Sequence, residues 1–263
     1  LKERLDKLLV LKGLVKSREL ARALIMEGKV FVDGGRIAKA GTLVSETSEI
    51  LLKDTDLPFV SRGGLKLEAA VDFFAIPVKD KVIIDVGAST GGFTDCLLKR
   101  GARKIYCIDV GYGQLDWSLR KDPRVIPLEK TNIRYLSEMI GSQEARIRGP
   151  EFEDLRSGNI DMAVIDVSFI SLKKVIPAVI GFLKKDAEIL ALVKPQFEVG
   201  KGEVGKGGIV REEKKRLDAL EHVRHDLEET GLETAGVFQS PVAGQKGNIE
   251  YFLYMRRRIH GRG

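Results

Sequence analysis

Eleven residues, DVGASTGGFTD from Asp85 to Asp95, constrain the fold of this 263-residue chain more than any others. The run before the glycines, KVIIDV, is apolar and β-branched, while FTDCLLKRG after them has apolar residues at helical spacing and a stop at Gly101. A buried strand, a glycine-rich turn and a helix in that order open a βα unit. The pattern then repeats. Strands are predicted at 81–86, 104–110, 124–129, 160–168 and 188–194, with helices after most of them, and SRGGLKLEAAVDFFAI reads as a helix before the first. Further strands are predicted in LETAGVFQ and NIEYFLYMR, the second alternating as an antiparallel strand does. Repeated strand–helix units predict a parallel, doubly wound α/β sheet. The polar stretch 141–158 reads as an inserted surface loop.

The length accommodates one large domain and a small one, expected at 59–263 and 1–58, with KDTDLPF (53–59) as the polar junction. In the small unit, RLDKLLVLKG places Leu5, Leu8 and Leu9 on one helical face. Ser17 then caps a second helix, SRELARALIMEG, with Leu20, Leu24 and Ile25 inward and Gly28 as its stop. KVFVDGGRI carries a hairpin signal at Asp33-Gly34-Gly35, and Glu49–Leu52 supplies another short strand. The unit is thus α+β.

Charge is concentrated there. The chain has 44 Lys and Arg against 38 Asp and Glu, a net +6, and residues 1–41 alone hold ten basic and five acidic side chains. The cluster Lys12, Lys16, Arg18 and Arg22 favours a phosphate-facing surface over a merely solvated helix. The words themselves go further: RLDKLLVLKGLVKSRELARALIMEGKVFVDGGRIAKAG strongly resembles the S-four-type RNA-binding module, in which RLD, SR, an apolar helix and GKV-V-G follow in that order. The resemblance implies that Arg4, Lys12, Ser17, Arg18 and Arg22 face structured RNA, read by shape and phosphate rather than by base edges.

Composition excludes other classes. Hydrophobic content of 43% with 31% charged residues is that of a folded protein. No apolar run reaches the 18 residues or so of a membrane span, and no signal segment opens the chain, so the cytoplasm is the expected compartment. Cys96 and Cys107 read as buried thiols. His222 and His225 share a helix face but lack partners at ligand spacing, so no metal is expected.

The glycine turn alone leaves its ligand open. A dinucleotide site wants G-x-G-x-x-G, yet the order from Gly87 is G-A-S-T-G-G, with Ser89 where a second glycine belongs. S-adenosylmethionine has no phosphate and needs only close backbone approach, which Gly87, Gly91 and Gly92 allow, with hydrogen bonds from Ser89 and Thr90. Asp109, ending the second strand, is placed to accept both ribose hydroxyls, and Asp85 can face the methionine end.

The remaining words decide between them. SRGGLKL, GYGQLDWSLRKDPRV, VIDVSFISL, LVKPQFEVGKGEVGKGGIV and GNIEYF closely resemble the TlyA (haemolysin A-like) family of rRNA 2′-O-methyltransferases, which join an S-four-type module to an FtsJ-type domain. The resemblance covers nearly the whole chain. It implies a Rossmann-like class I methyltransferase domain, S-adenosylmethionine at Asp85, Gly87, Ser89, Thr90, Gly91, Gly92, Asp109 and Val110, and a ribosomal RNA cytidine as substrate. The chain's end soon after YMRRRIHGRG is similar to the family's short form, which acts on large-subunit RNA; longer members act on both subunits.

The same match implies a catalytic set of Lys66, Asp166, Lys194 and Glu250. The chemistry supports such a set independently. A ribose hydroxyl is a poor nucleophile whose proton must leave as the methyl is attacked. A lysine, with an ordinary pKa near ~10.4, serves as the base only if burial and a neighbouring cation lower it. Lys194 is the expected base, with Lys66, Asp166 and Glu250 positioning it and the hydroxyl. The sequence from Gly200 to Lys206 mimics a phosphate-binding G-x-x-x-x-G-K loop, but the Ser or Thr that would hold magnesium is absent, so it reads as a substrate-side loop. Two other classes compete: a membrane-lysing protein, which the family's older label suggests, and an inert ribosome-binding module.

Overall fold

In the computed structural model, which describes all residues but 1, 16, 53–57, 143–148, 201, 206, 245–246 and 259–263, the first fifty residues gather around their own small core. β1 (Lys2–Arg4) pairs with β4 (Leu43–Ser45), and β2 (Val30–Val32) lies between β3 (Gly35–Arg36) and β5 (Ile50–Leu52). Against them pack α1 (Leu5–Leu11) and α2 (Arg18–Met26), whose first turn is capped where the Leu20 N–H donates to Ser17 Oγ at 3.2 Å. The buried face of α2 differs from the expected one. Ala21 and Ile25 are fully buried and meet Leu5, Leu8 and Leu9, whereas Leu20 and Leu24 are half-buried at the edge of the cluster. Most of the 53–59 junction, and Lys16 of the basic cluster, lie outside the described residues.

The larger unit opens with α3 (Arg62–Phe73) and continues through β6 (Val82–Val86), α4 (Gly92–Lys99), β7 (Lys104–Ile108), α5 (Trp117–Arg120) and β8 (Val125–Leu128). The chain then passes α6 (Leu136–Gly141) and α7 (Glu153–Arg156) before β9 (Ile160–Ile165), α8 (Ile176–Ile180), β10 (Leu183–Val193) and α9 (Pro195–Glu198). It ends with α10 (Glu213–Glu228), β11 (Leu232–Gln239) and β12 (Tyr251–Arg257). The seven strands form one sheet in the order β11-β12-β10-β9-β6-β7-β8, parallel except for β12, which runs antiparallel to both its neighbours.

Alternation along the strands feeds two cores. Ile83 joins Leu67, Phe93 and Leu97 of α3 and α4 on one face, while Val82 and Ile84 join Ile176, Val179, Leu220 and Val223 of α8 and α10 on the other. Helices on both faces make the sheet doubly wound, as expected. The chain builds outward from β6 to β8 and then returns to β9 on the other side of β6. The strand order therefore reverses between β6 and β9, where open α/β sheets bind ligands.

Two expectations are corrected. β10 begins at Leu183, not 188, because the charged Lys184, Lys185 and Asp186 mask its apolar period. The described part of 141–158 is not simply a loop: α7 and the turn before it bury Phe152 and Leu155 against the sheet. His222 and His225 are exposed on α10. Among the described residues no helix is long and apolar enough to cross a membrane.

Candidate active site

Because β12 is antiparallel, its start lies at the same sheet edge as the carboxyl ends of the parallel strands. The registers Val193↔Tyr251, Ala191↔Ile165, Val86↔Ile165, Val86↔Ile108 and Ile108↔Leu128 fix the consequence. Glu250, Lys194, Asp166, Gly87, Asp109 and Glu129 therefore lie along that edge at the ends of successive strands, which are spaced by about 4.8 Å, with Lys194 in line with Ser168, two residues past Asp166.

At the centre is the glycine turn. Gly87 has φ +85°, and a Cβ on it would lie 2.5 Å from the Asp166 carbonyl oxygen, so only glycine lets β6 turn this close to β9. Gly91 has φ +94°, and a side chain there would enter Leu119 and Leu115. Between them Ser89 takes φ +50°, held by its N–H, which donates to Asp109 Oδ2 at 2.8 Å. The other oxygen of Asp109 accepts the Gly111 N–H at 2.7 Å. Thr90 is half-buried and accepts the Asp116 N–H through its carbonyl. A small cleft opens here, lined by Ala88, Ser89, Asp109, Gly111, Gln114 and Glu129 among others, with Val110 71% exposed at the adjoining position of the chain.

Asp85 lies deeper than the sequence suggested. It is fully buried beneath the turn and accepts the Thr94 hydroxyl at 2.6 Å through Oδ2. Oδ1 is buried without a hydrogen-bond partner. Burial pushes its carboxyl up to about 7; the carboxylates of Asp166 and Asp109 add to the rise and Thr94 opposes it. The expected cofactor fits this arrangement: close backbone approach at Gly87, a half-exposed carboxylate at Asp109 with lone pairs to spare, and an orphaned acidic oxygen below.

Two steps along the edge, the four remaining residues form two ion pairs. Lys194 Nζ is 2.6 Å from Asp166 Oδ1 and donates to Ser168 Oγ at 2.9 Å. Lys66, in the second turn of α3, donates to Glu250 Oε2 at 2.6 Å. Both lysines and Glu250 are buried, and Asp166 is half-buried. Gly244 must lack a side chain for Glu250 to lie where it does, since a Cβ would fall 1.9 Å from Oε1. Each lysine thus has its own carboxylate, so that Lys66, expected with Asp166 and Glu250 to position Lys194 and the hydroxyl, is itself paired with Glu250. Ser168, which sequence reasoning missed, sits in the VIDVSF word two residues past Asp166.

Residues 59–257 match the FtsJ-like methyltransferase family and residues 3–50 match the S4 domain. Over 255 residues the chain is 47% identical to the 16S/23S rRNA (cytidine-2′-O)-methyltransferase TlyA of Mycobacterium tuberculosis, covering 96% of this chain and 89% of that protein. The chain belongs to the TlyA family. It is also 33% identical over 264 residues to the 23S rRNA (cytidine-2′-O)-methyltransferase TlyA of Campylobacter jejuni, covering 93% of this chain and 96% of that protein. A solved structure from Streptococcus thermophilus that carries a haemolysin label superposes with a TM-score of 0.71 at 41% identity, over 98% of this chain and 89% of that one.

In this TlyA-family chain the basic module is organised around a residue that the sequence reading passed over. Arg4, Arg18 and Arg22 all turn onto one carboxylate, Asp6. Lys12 is exposed and donates to the Ser48 carbonyl at 3.1 Å, while the Ser17 hydroxyl serves the α2 cap. In the loop that mimics a phosphate site, the Gly200 N–H donates to Glu203 Oε2 at 2.8 Å and the Gly205 N–H to the Ile209 carbonyl at 3.1 Å. Both donors are already satisfied, and the first by a negative charge that would repel a phosphate. Its Lys201 and Lys206 lie outside the described residues.

Proposed function

We propose that the chain methylates the 2′-hydroxyl of a cytidine in ribosomal RNA, in the cytoplasm, with S-adenosylmethionine as donor. The observation that carries this reading is the Lys194–Asp166 pair, at 2.6 Å, one strand from the Gly87 turn. Asp109 would hold the donor's ribose, Val110 and the Ser89–Gly92 backbone would flank it, and Asp85 would support the turn from below. When bound, S-adenosylmethionine supplies an electrophilic methyl group.

The chain's own residues do the rest. In its uncharged form Lys194 Nζ has a lone pair that accepts the proton of the attacking hydroxyl as the methyl is transferred, while its two N–H bonds are directed by Asp166 and Ser168. Lys66 and Glu250, held together as a buried pair, give the hydroxyl and the departing proton a fixed polar wall. The N-terminal module grips RNA by its backbone. Both named relatives carry 23S rRNA in their names and one adds 16S, so large-subunit RNA is the first substrate and small-subunit RNA the second candidate.

Mapping 2′-O-methyl groups in both rRNAs, with and without the protein, tests this directly. An unchanged map, together with no tritium transfer from labelled cofactor to rRNA, sinks the reading in favour of an inert binding module. Dye release from liposomes tests the membrane-lysing alternative.

A further inference from the structure

We infer that Asp6 gathers Arg4, Arg18 and Arg22 into one seat for a single RNA backbone phosphate, acting as a positioning residue and not as a counter-charge. The inference rests on the RNA reading above and deepens it. Asp6 is fully buried at the first turn of α1, and its N–H donates to the Ala40 carbonyl at 3.1 Å, so the carboxylate is anchored in the module's own core. Its Oδ1 accepts Arg4 Nε at 3.0 Å. Its Oδ2 accepts Arg4 Nη2 at 3.1 Å, Arg18 Nη2 at 3.0 Å and Arg22 Nε at 3.1 Å.

Three guanidiniums from β1 and α2 therefore converge on two oxygens of one group. Left alone, three cations at that separation would repel and splay into solvent. The carboxylate holds them together and leaves a local surplus of two positive charges. Their hydrogen bonds, Arg4's foremost, keep the Asp6 carboxyl well below the usual carboxylate range. The outward edges stay available, since the three arginine side chains remain 41%, 41% and 49% exposed. Each guanidinium has five N–H donors and gives Asp6 at most two, so most of the fork faces away from it. Planar forks fixed in direction match the oxygens of a phosphodiester better than freely rotating ammonium groups do.

This assigns Asp6 a role opposite to that of a bystander acid. Removing a negative charge from an RNA-facing surface should, by charge alone, tighten RNA binding and steepen its salt dependence. If Asp6 builds the seat, its removal does the reverse. The test uses the full chain and an in vitro large-subunit rRNA transcript, with affinity followed from about 50 to 200 mM salt. Asp6→Asn should weaken binding roughly ten-fold and make the salt dependence shallower by about one phosphate contact. Cofactor affinity should stay at the wild-type value. Equal or tighter binding with a steeper salt dependence overturns the inference.

Should Asp6→Asn unfold the module, seen as a lost melting transition, Arg22→Lys decides instead, because it keeps the charge and loses the fork. Several-fold weaker binding by Arg22→Lys supports the seat, and wild-type affinity overturns it. Failure of the wild-type chain to bind the transcript overturns both this inference and the functional reading. Methylation at wild-type affinity by both variants overturns only this one.

Discussion

Lys194 and Asp166 leave the ends of neighbouring parallel strands and meet at 2.6 Å, with Ser168 as the second acceptor of the lysine. If Lys194 is the base, Lys194→Ala should lower the methylation rate by roughly 10²-fold or more while cofactor and rRNA affinity stay nearly unchanged. Lys194→Arg should not restore it, since arginine keeps its proton. Near wild-type turnover by the arginine variant would make Lys194 an electrostatic holder.

Asp109 has two tasks, since its oxygens already accept the Ser89 and Gly111 N–H groups. Asp109→Ala should weaken S-adenosylmethionine binding by roughly 1.5–3 kcal/mol, the loss of a charge-assisted bond. Isothermal calorimetry on a folded variant reads this, and unchanged affinity removes Asp109 from the cofactor site.

Asp85 should make stability depend on pH in an unusual direction. Its carboxyl lies at about 7 in the fold, raised mainly by burial, against a reference of 3.8. Between those values the folded chain holds a proton that the unfolded chain releases. Its contribution is therefore fully present below about pH 4 and is lost as pH rises through about 7, by on the order of 4 kcal/mol at most. Asp85→Asn should flatten this part of the profile in urea titrations. Parallel profiles for variant and wild type would mean that Asp85 is ionised throughout.

Glu198 ties the loop after Asp166 to the helix after Lys194. Its Oε1 accepts the Leu172 N–H at 2.9 Å, and burial pushes its carboxyl above the ordinary value. In that loop Phe169 adopts φ +64° and lies with its ring centroid 4.9 Å from that of Phe197. Glu198→Ala should cost about 1–3 kcal/mol through the unpaired N–H, and slow methylation without changing cofactor affinity. Glu198→Gln, which keeps the acceptor, should behave as wild type. A gain of stability in the alanine variant would show that the carboxyl is merely buried.

Removing residues 1–53 should leave cofactor binding intact while RNA affinity and its salt dependence both fall. Equal RNA affinity with and without the module would reduce its basic face to a solvated one.

Much of this was legible in the residues, and the exceptions have physical causes. The glycine turn announced itself because it joins a β-branched run to a helical one, and periodicity placed β6, β7 and β9 to within a few residues. Lys66 and Glu250 were joined by a family likeness alone, since no local pattern links an α3 residue to one that precedes β12. The pairing of each lysine with its own carboxylate depends on strand order, which periodicity does not carry. Asp6 was overlooked because an acid among basic residues reads as a reduction of charge, although its burial makes it the centre of the cluster.

The antiparallel placement of β12 also governs when the site comes into being. This strand fills the gap between β10 and β11 only after β11 has been made, and the residue just before it is Glu250. A nascent chain that stops short of β12 holds Lys66 without its partner and leaves two strand edges open. The Lys66–Glu250 pair therefore closes only when the last strand of the described residues is in place.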